Sequence, residues 1–322
     1  MSFGLRFDFR NPIMAGTSMA DRYEAALEMA EWADQLGCMS ISISEHHGSD
    51  DGYLRSPIVI LAAMAARTRS VRLSIAALIA PFYEPLRLAE DMMVLDHLSR
   101  GRVGLIIAGG YVPEEFAFYG VPMNERGARV TEMVRTLKAA FTGEAFEFRG
   151  RTVRVTPGPF TPGGPGIMLG GSSEAAARRA ARIADGFVPT APEIYAFYRD
   201  EVQKLGRPDP GPGFISPGTT IALAEDVETG WTQMAPYFLH ETNAYGAWVQ
   251  PGVPSPYRVM ADVDELRASG LYAVLTPGEF VERMTGEPFP LAFFHPLCGG
   301  MPIDVAWSSL RLFESQVLPA FA

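Results

Sequence analysis

The sequence predicts an α/β fold, a (β/α)8 TIM barrel with insertions at the C-terminal mouth, formed by all 322 residues as a single domain, 1–322. Two observations lead to this prediction. Short apolar runs, which suit strands buried on both faces of a sheet, alternate with segments of helical periodicity. We count eight such runs along the chain, the number of strands that this barrel needs.

One βαβ unit, from Val71 to Tyr111, shows the pattern most clearly. Its first strand, Leu73 to Ala80, is too short an apolar run for a stable helix. Pro85 suits the first position of the following helix, and Ser99-Arg100-Gly101 predicts a left-handed glycine cap at its end. The second strand, Val103 to Ala108, follows this helix, so the sheet should be parallel.

The remaining elements continue this alternation. The other predicted strands are 3–9, 39–44, 167–169, 187–188, 219–224 and 291–294. The other predicted helices begin near residues 19, 57, 124, 174, 277 and 302.

Five segments outside these elements are expected to be irregular or only partly regular. The stretch 111–122 should be a loop, and 146–155 a hairpin. Two stretches rich in proline and glycine, 156–166 and 207–217, should be irregular. The segment 226–276 is expected to be helical in patches and to cross over the barrel mouth.

Charge and cysteine content exclude several classes of partner and compartment. The formal net charge of −10 argues against a nucleic-acid groove or an anionic membrane surface. The chain has only two cysteines, Cys38 and Cys298, which argues against a disulfide framework. A reducing compartment, the cytoplasm, is therefore expected. The sequence has neither an apolar signal segment at its start nor a run of 18 apolar residues.

Small residues end both strands of the central unit. They are Ala76 and Ala77 on the first strand, and Ala108, Gly109 and Gly110 on the second. Such residues at the carboxyl ends of parallel strands leave room for a flat ligand against the backbone. Tight packing of helices on the sheet also favours Ala and Gly, so both interpretations stay open.

The run Glu45-His46-His47 follows the second strand, at the face where barrel enzymes carry catalytic groups. Adjacent residues on an extended segment point in opposite directions, so one histidine should face the mouth. Adjacent histidines do not chelate together easily and no third ligand is evident, so no metal is expected. A histidine that moves protons is the functional interpretation, and a structural histidine the alternative.

A second candidate site joins a strand to a helix. Gly170, Gly171, Ser172 and Ser173 offer free amides, hydroxyls and a helix N-terminus, which together suit a phosphate group. The same residues also cap helices in the absence of any ligand. The sequence contains no G-x-G-x-x-G, G-x-x-x-x-G-K-[ST], H-E-x-x-H or G-x-S-x-G motif, so a Rossmann-type nicotinamide domain is not expected.

A longer block carries a family resemblance. The stretch AALIAPFYEPLRLAEDMMVLDHLSRGRVGLIIAGGYVPEEFAFYGV resembles the bacterial luciferase family of flavin- and deazaflavin-dependent TIM-barrel oxidoreductases. The resemblance implies that His46 lies beside the flavin and acts in catalysis, whereas His47 is structural. It implies a flavin phosphate at the turn 170–173. It also implies a cis peptide bond between Ala76 and Ala77, in a bulge that presses backbone against the flavin ring.

The resemblance implies a flavin-dependent monooxygenase that uses reduced FMN and O2, with a separate flavin reductase to supply the cofactor. An oxidoreductase that transfers hydride with coenzyme F420 is the alternative, since Gly109 stands where some relatives have arginine. A non-catalytic flavin-binding barrel is an alternative of another class. Homo-oligomerisation is compatible with the sequence. A partly hydrophobic small-molecule substrate is expected from apolar residues near the mouth, which are Phe82, Tyr83, Phe293 and Phe294.

Overall fold

A computed structural model describes residues 1–213, 219–253 and 255–321. The described residues form eleven strands: β1 Ser2–Phe7, β2 Ser40–Ile43, β3 Arg72–Ile79, β4 Val103–Ala108, β5 Phe146–Phe148, β6 Arg151–Val153, β7 Ile167–Gly171, β8 Gly186–Pro189, β9 Thr220–Leu223, β10 Tyr272–Leu275 and β11 Leu291–Phe294.

The same residues form eleven α-helices: α1 Met19–Gln35, α2 Pro57–Arg67, α3 Pro85–Ser99, α4 Pro113–Tyr119, α5 Arg126–Ala140, α6 Glu174–Ile183, α7 Pro192–Lys204, α8 Val227–Trp248, α9 Val263–Ala268, α10 Pro277–Thr285 and α11 Ile303–Leu312. A π-helical turn, Phe313–Val317, and a 3-10 turn, Leu318–Phe321, continue the last helix.

The sheet has the connectivity that a barrel requires. Its order is β10-β9-β11-β1-β2-β3-β4-β7-β8, and every pairing in it is parallel. The last strand of the chain, β11, pairs with the first, β1, at Leu5 and Phe294, as the last and first strands of a barrel do. The predicted α/β class is therefore confirmed. All carboxyl ends of these strands lie at the same edge, where a site can form.

The central βαβ unit forms as predicted. Pro85 is the first residue of α3, and the Glu84 side chain caps the helix by accepting a hydrogen bond from the Arg87 amide. Gly101 has a left-handed φ of 80°, as predicted, and Arg100 before it is left-handed as well, with a φ of 55°. Strand β4 has the predicted bounds.

Strand β4 is buried on one face rather than both. Val103, Leu105 and Ile107 are buried against the helices, whereas Ile106 and Ala108 are only half-buried. The half-buried face is the one that looks into the barrel. Space therefore remains inside the barrel at the carboxyl ends of the strands.

Two predictions about elements are wrong. The stretch 111–122 contains helix α4, whose two turns are too short to show helical periodicity but are stabilised by the buried ring of Phe116. The sheet has nine parallel strands rather than eight, because the short run Tyr272–Leu275 pairs with β9. The start of 226–276 is helical, as expected: α8 is one helix of 22 residues that continues through Pro236, where tertiary packing outweighs the proline.

The predicted hairpin and the predicted irregular stretches are largely confirmed. Strands β5 and β6 pair antiparallel around Arg149 and Gly150. Residues 156–166 contain neither helix nor strand, and neither do 207–213. The rest of the second stretch, 214–217, lies outside the described residues. Pro254, in the segment 226–276, lies outside them as well.

Candidate active site

A cavity of about 240 Å³ opens at the carboxyl edge of the sheet. Five predicted site residues line it: His46, Ala76, Ala77, Ala108 and Gly110. They come from three consecutive strands, β2, β3 and β4, or from the residues directly after them. The other predicted site residues, Gly109 and 170–173, do not line this cavity.

His46 is held by a carboxylate on one side and faces the cavity on the other. Its Nδ1 lies 2.8 Å from Glu115 Oε1, and its Nε2 lies 3.5 Å from the hydroxyl of Tyr111. Because a carboxylate oxygen accepts hydrogen bonds, the Glu115 contact favours the tautomer with the proton on Nδ1. Nε2 then carries the lone pair on the cavity side, the arrangement that a proton-accepting histidine needs.

Glu115 is a functional residue that sequence reasoning missed. It lies in the first turn of α4, is fully buried, and accepts a second hydrogen bond, 2.8 Å long, from the backbone amide of His47. The signal was present as Pro113-Glu114-Glu115 ahead of an apolar ring, a pattern typical of a helix start. Because the stretch was interpreted as a loop, this carboxylate had no predicted position.

The second histidine of the pair is bonded entirely to protein. His47 Nε2 lies 2.9 Å from Glu45 Oε1, and its Nδ1 lies 3.0 Å from the Tyr119 hydroxyl. Glu45 also accepts hydrogen bonds from the Ile79 amide at 2.8 Å and from the Tyr83 hydroxyl at 2.5 Å. Glu45 therefore ties the end of β2 to the end of β3, and His47 joins Glu45 to α4, while His46 faces the cavity.

Strand β3 bends where it reaches the cavity. The peptide bond between Ala76 and Ala77 is cis, as the family resemblance predicts. The pairing register with β4 shifts between Ala76 and Leu78, so the strand carries a bulge there. Ala76 and Ala77 are half-buried and line the cavity, whereas the flanking Ile75 and Leu78 are fully buried. The bulge therefore presents two small side chains to the cavity.

The glycines of the turn 170–173 are explained in part by packing. A Cβ at Gly171 would lie 2.6 Å from that of Ala176 on α6, and one at Gly170 would lie 3.3 Å from Ile106 Cγ2. Ser173 caps α6, accepting a 3.3 Å hydrogen bond from the Ala176 amide. Packing thus accounts for Gly171, and the amides of Glu174 and Ala175, which precede the capped Ala176 amide, are left for a ligand.

A first arginine lies beside the end of β4, the strand next to this turn. Strands β4 and β7 pair at Ile107 and Leu169, so Gly109 and Gly171 come at neighbouring strand ends. A Cβ at Gly109 would lie 3.7 Å from the Arg126 side chain, so Arg126 is the neighbour of this strand end.

The second arginine, Arg179 on α6, packs against the helix that carries Arg126. A Cβ at Gly127 would lie 2.6 Å from Arg179 Nη2. Burial and the positive charge of Arg126 lower the pKa of Arg179. Among the described residues, neither guanidinium has a carboxylate partner. Arg126 donates one hydrogen bond to the Met123 carbonyl at 3.2 Å, so both guanidinium groups keep donors for an anion.

The end of helix α8 covers the cavity with aromatic rings. Tyr245 and, beyond the helix, Tyr257 line it, and the Trp248 ring lies 4.5 Å from that of His46. The Arg10 guanidinium lies 4.8 Å from the ring of Tyr245 and 4.9 Å from that of Trp248, within the range of cation–π attraction. The predicted excursion over the barrel mouth is thus confirmed for this part of 226–276.

The expected apolar mouth residues are placed differently from the prediction. Phe294 is buried in the core against Phe280 and Phe313 and does not reach the mouth. Phe82 stacks on Tyr119 outside the cavity lining. Alternation along β11 explains the first difference, since neighbouring residues of a strand face opposite sides.

Asp51 joins the barrel to α8 through Arg10 and His240. It accepts hydrogen bonds from Arg10 and, at 2.9 Å, from His240 Nε2. Burial would raise the pKa of this carboxyl, but the His240 hydrogen bond and the charge of Arg10 outweigh burial and lower it. The hydrogen bonds of Asp51 to Arg10 and His240 therefore anchor α8 beneath the aromatic rings that cover the cavity.

We expect Asp51→Ala to lower the free energy of unfolding by about 3–5 kcal/mol, because it leaves the buried charge of Arg10 without this partner. Urea denaturation followed by circular dichroism measures the loss. Asp209→Ala is the matched control, since Asp209 pairs with Arg199 at the exposed surface and such pairs contribute about 0–1 kcal/mol. Equal losses in both variants would contradict the anchoring role.

The same carboxyl gives an expected pH dependence. A lowered pKa in the folded state means that the contribution of Asp51 is complete above its unfolded pKa of about 3.9 and is lost as the pH falls further. The difference in unfolding free energy between wild type and Asp51→Asn should therefore be constant near neutral pH and shrink below about pH 4. A difference that grew in acid would have the wrong sign.

A second buried cluster joins α8 to strands β1 and β10 through Glu241. Glu241 accepts hydrogen bonds from Arg6, from the Tyr272 hydroxyl at 2.7 Å and from Cys298 Sγ at 2.8 Å. Its carboxylate, His295 and Cys298 bring possible metal-ligand atoms within 4.8 Å of one another. The guanidinium of Arg6 already occupies the carboxylate and its charge opposes a cation. We therefore interpret this cluster as a hydrogen-bonded anchor.

Comparison with known proteins identifies the family. The sequence profile described as luciferase-like monooxygenase matches residues 1–283. The chain belongs to this family. Of the helices in the described part of the chain, none is long and apolar enough to cross a membrane.

Among curated relatives, the chain is 36% identical over 135 residues to an uncharacterised protein from Sinorhizobium fredii. It is 33% identical over 118 residues to 4-hydroxyprotoasukamycin monooxygenase from Streptomyces nodosus. These matches cover 42% and 37% of this chain, and 40% and 32% of the two relatives. The chain thus matches less than half the length of each.

Solved structures are similar over the whole chain. Monooxygenase RslO1 from Streptomyces bottropensis has a TM-score of 0.78 and 26% identity, with full coverage of both chains. The oxygenating constituent of 3,6-diketocamphane monooxygenase from Pseudomonas putida, in complex with FMN, has a TM-score of 0.71 at 19% identity and covers 99% and 98%. An F420-dependent secondary alcohol dehydrogenase has a TM-score of 0.70 at 15% identity and covers 100% and 99%. The last two show the fold, which is the luciferase-like TIM barrel.

Proposed function

We propose that this enzyme is an FMN-dependent monooxygenase that oxidises a partly hydrophobic organic substrate with O2, and that His46 is its acid–base residue. One observation carries the proposal. His46, held by Glu115, faces the same cavity as the bulged strand end at Ala76 and Ala77. The residue that would transfer a proton and the residues that would bind a flat ring thus line the same cavity.

The residues around the cavity fit a flavin. Ala76, Ala77, Ala108 and Gly110 give one wall without large side chains, against which a flat ring can lie. The turn 170–173 suits its phosphate group, as do Arg126 and Arg179, which have no carboxylate partner among the described residues. Reduced FMN, when bound, would supply the electrons for the activation of O2.

The protein's own contribution is to orient the His46 ring and to exclude water from the cavity. Glu115 fixes the His46 ring, so that Nε2 can accept a proton from the cavity or, once protonated, return it. Tyr245 and Trp248 on α8 cover the cavity and separate it from solvent. No nucleotide-binding motif for a nicotinamide is present in the sequence, so a separate reductase would supply the reduced flavin.

Hydride transfer with coenzyme F420 is the second candidate. The observation that favours it is the strand end Ala108-Gly109-Gly110, which lacks the arginine of some flavin monooxygenases in the family. Parallel titrations of the purified protein with reduced FMN and with F420 distinguish the two. Tight binding of FMN together with O2 uptake supports the monooxygenase, and selective binding of F420 without O2 uptake supports hydride transfer. Binding of neither would refute both.

We expect Ser172→Asp and Ser173→Asp to weaken cofactor binding with little loss of stability, because each puts a negative charge where the phosphate would bind. Arg126→Ala and Arg179→Ala should weaken it as well. Isothermal titration with FMN measures these effects. Thr276→Asp is the matched control, because Thr276 caps α10, which contributes no residue to the cavity lining. Unchanged affinity in all four variants would mean that the phosphate binds elsewhere.

A further inference from the structure

Most polar side chains around the cavity are already bonded to protein. The hydroxyls of Tyr53 and Tyr245 lie 2.7 Å apart, and the Tyr257 hydroxyl accepts a hydrogen bond from Arg6 at 3.3 Å. Tyr111 differs. Among the described residues, its hydroxyl has only His46 Nε2 as a hydrogen-bond partner, at 3.5 Å, which is the outer limit of such a bond. A ligand in the cavity would therefore meet a hydroxyl with unused capacity.

The position of Tyr111 suits a group that meets a ligand. It directly follows Gly110 at the end of β4, it lines the cavity, and 37% of its surface is exposed. Its ring packs edge-to-face on His46 at 5.6 Å between centroids. Burial of the hydroxyl and the charge of Glu115 raise the pKa of Tyr111, so it remains a neutral hydrogen-bond donor near physiological pH.

A pair of stacked rings in the cavity lining indicates the shape of the ligand. The rings of Tyr245 and Tyr257 stack face to face at 4.5 Å with an interplanar angle of 19°, so each ring keeps one face and its edges free of the other. Free ring faces and edges favour a flat aromatic ligand that stacks on them or packs edge-on. The nearby charge of Arg6 is offset by Glu241, which favours a ligand that is neutral as a whole.

We propose that the cavity takes a flat aromatic substrate bearing a carbonyl or phenolic oxygen, and that the Tyr111 hydroxyl donates a hydrogen bond to that oxygen. Tyr111 is then a further catalytic residue, placed beside His46, and it selects oxygen-bearing substrates over hydrocarbons of the same size. This inference rests on the proposed function, since it names the substrate class of the same site.

The test compares two probes of nearly equal shape, 2-acetylnaphthalene and 2-ethylnaphthalene, of which only the first has an oxygen acceptor. Wild-type protein should bind the ketone about three- to tenfold more tightly, the range that one neutral hydrogen bond provides. In Tyr111→Phe this ratio should fall to about one, because the ring stays and the donor is lost. Isothermal titration calorimetry measures both affinities without any cofactor turnover.

Tyr237→Phe is the matched control. Its hydroxyl lies on the outer side of α8, bonded to the Met14 carbonyl at 3.4 Å, so the ratio should stay at the wild-type value. Equal affinity of wild type for both probes, or a ratio that survives in Tyr111→Phe, would overturn the inference. The titrations with FMN and F420 are read separately. If cofactor binds while the probe ratio is unaffected by Tyr111→Phe, only the substrate inference fails.

Discussion

His46→Ala is expected to lower turnover by about 10²–10⁴-fold, the range typical of the loss of a general acid or base. The ring that disappears is the one whose Nδ1 is held by Glu115 and whose Nε2 faces the cavity. The fold should persist, because His46 lies at the cavity surface after the end of β2 and contributes no strand pairing. Circular dichroism and cofactor titration check that the variant is folded and loaded.

Two further variants make this result specific. His97→Ala removes a histidine on α3 that bonds the Gly158 carbonyl at the surface, and it should leave turnover unchanged. Glu115→Gln keeps the size of the side chain that positions His46 but removes its charge, so it should shift the pH profile of turnover as well as its maximum. Full activity of His46→Ala with a cognate substrate would refute the acid–base role.

The parts of the fold that the sequence predicts well are those with local signals. Pro85 marks the start of helix α3 and Gly101 follows its end. The sequence then changes from helical periodicity to the apolar run of strand β4. Helix α4 and strand β10 lack such periodicity because they are seven and four residues long. Their stability comes from contacts that are distant in sequence, such as the pairing of Tyr272 with Thr220.

The candidate site divides in the same way. His46 follows a recognisable strand, so its position at the sheet edge could be predicted. Glu115 is 69 residues from His46 in the sequence, and the contact between them depends on the packing of α4. The aromatic cover depends likewise on α8 returning over the first strands, where Glu241 meets Arg6 across 235 residues. No local pattern specifies contacts of this length.

A larger side chain at Ala76, in the bulge of β3, is expected to have the second large effect, on the binding of FMN. Ala76→Phe should abolish measurable binding of FMN while the barrel stays folded. Ala76 is half-buried and lines the cavity, so a phenyl group there would fill space on the wall proposed for the ring. The neighbouring Ile75 and Leu78, which are fully buried, keep their packing against the rest of the barrel.

A graded series separates this steric effect from a loss of fold. Ala76→Ser adds one atom and should retain most of the affinity for FMN, Ala76→Val should weaken it, and Ala76→Phe should eliminate it. Urea denaturation of each variant should show free energies of unfolding far closer to one another than the affinities, since the added atoms point into a cavity rather than into packed core. If Ala76→Phe bound FMN with wild-type affinity, the ring could not lie against this strand. The proposed cofactor position at Ala76, Ala77, Ala108 and Gly110 would then be wrong, while the acid–base role of His46 would still be tested by its own variant.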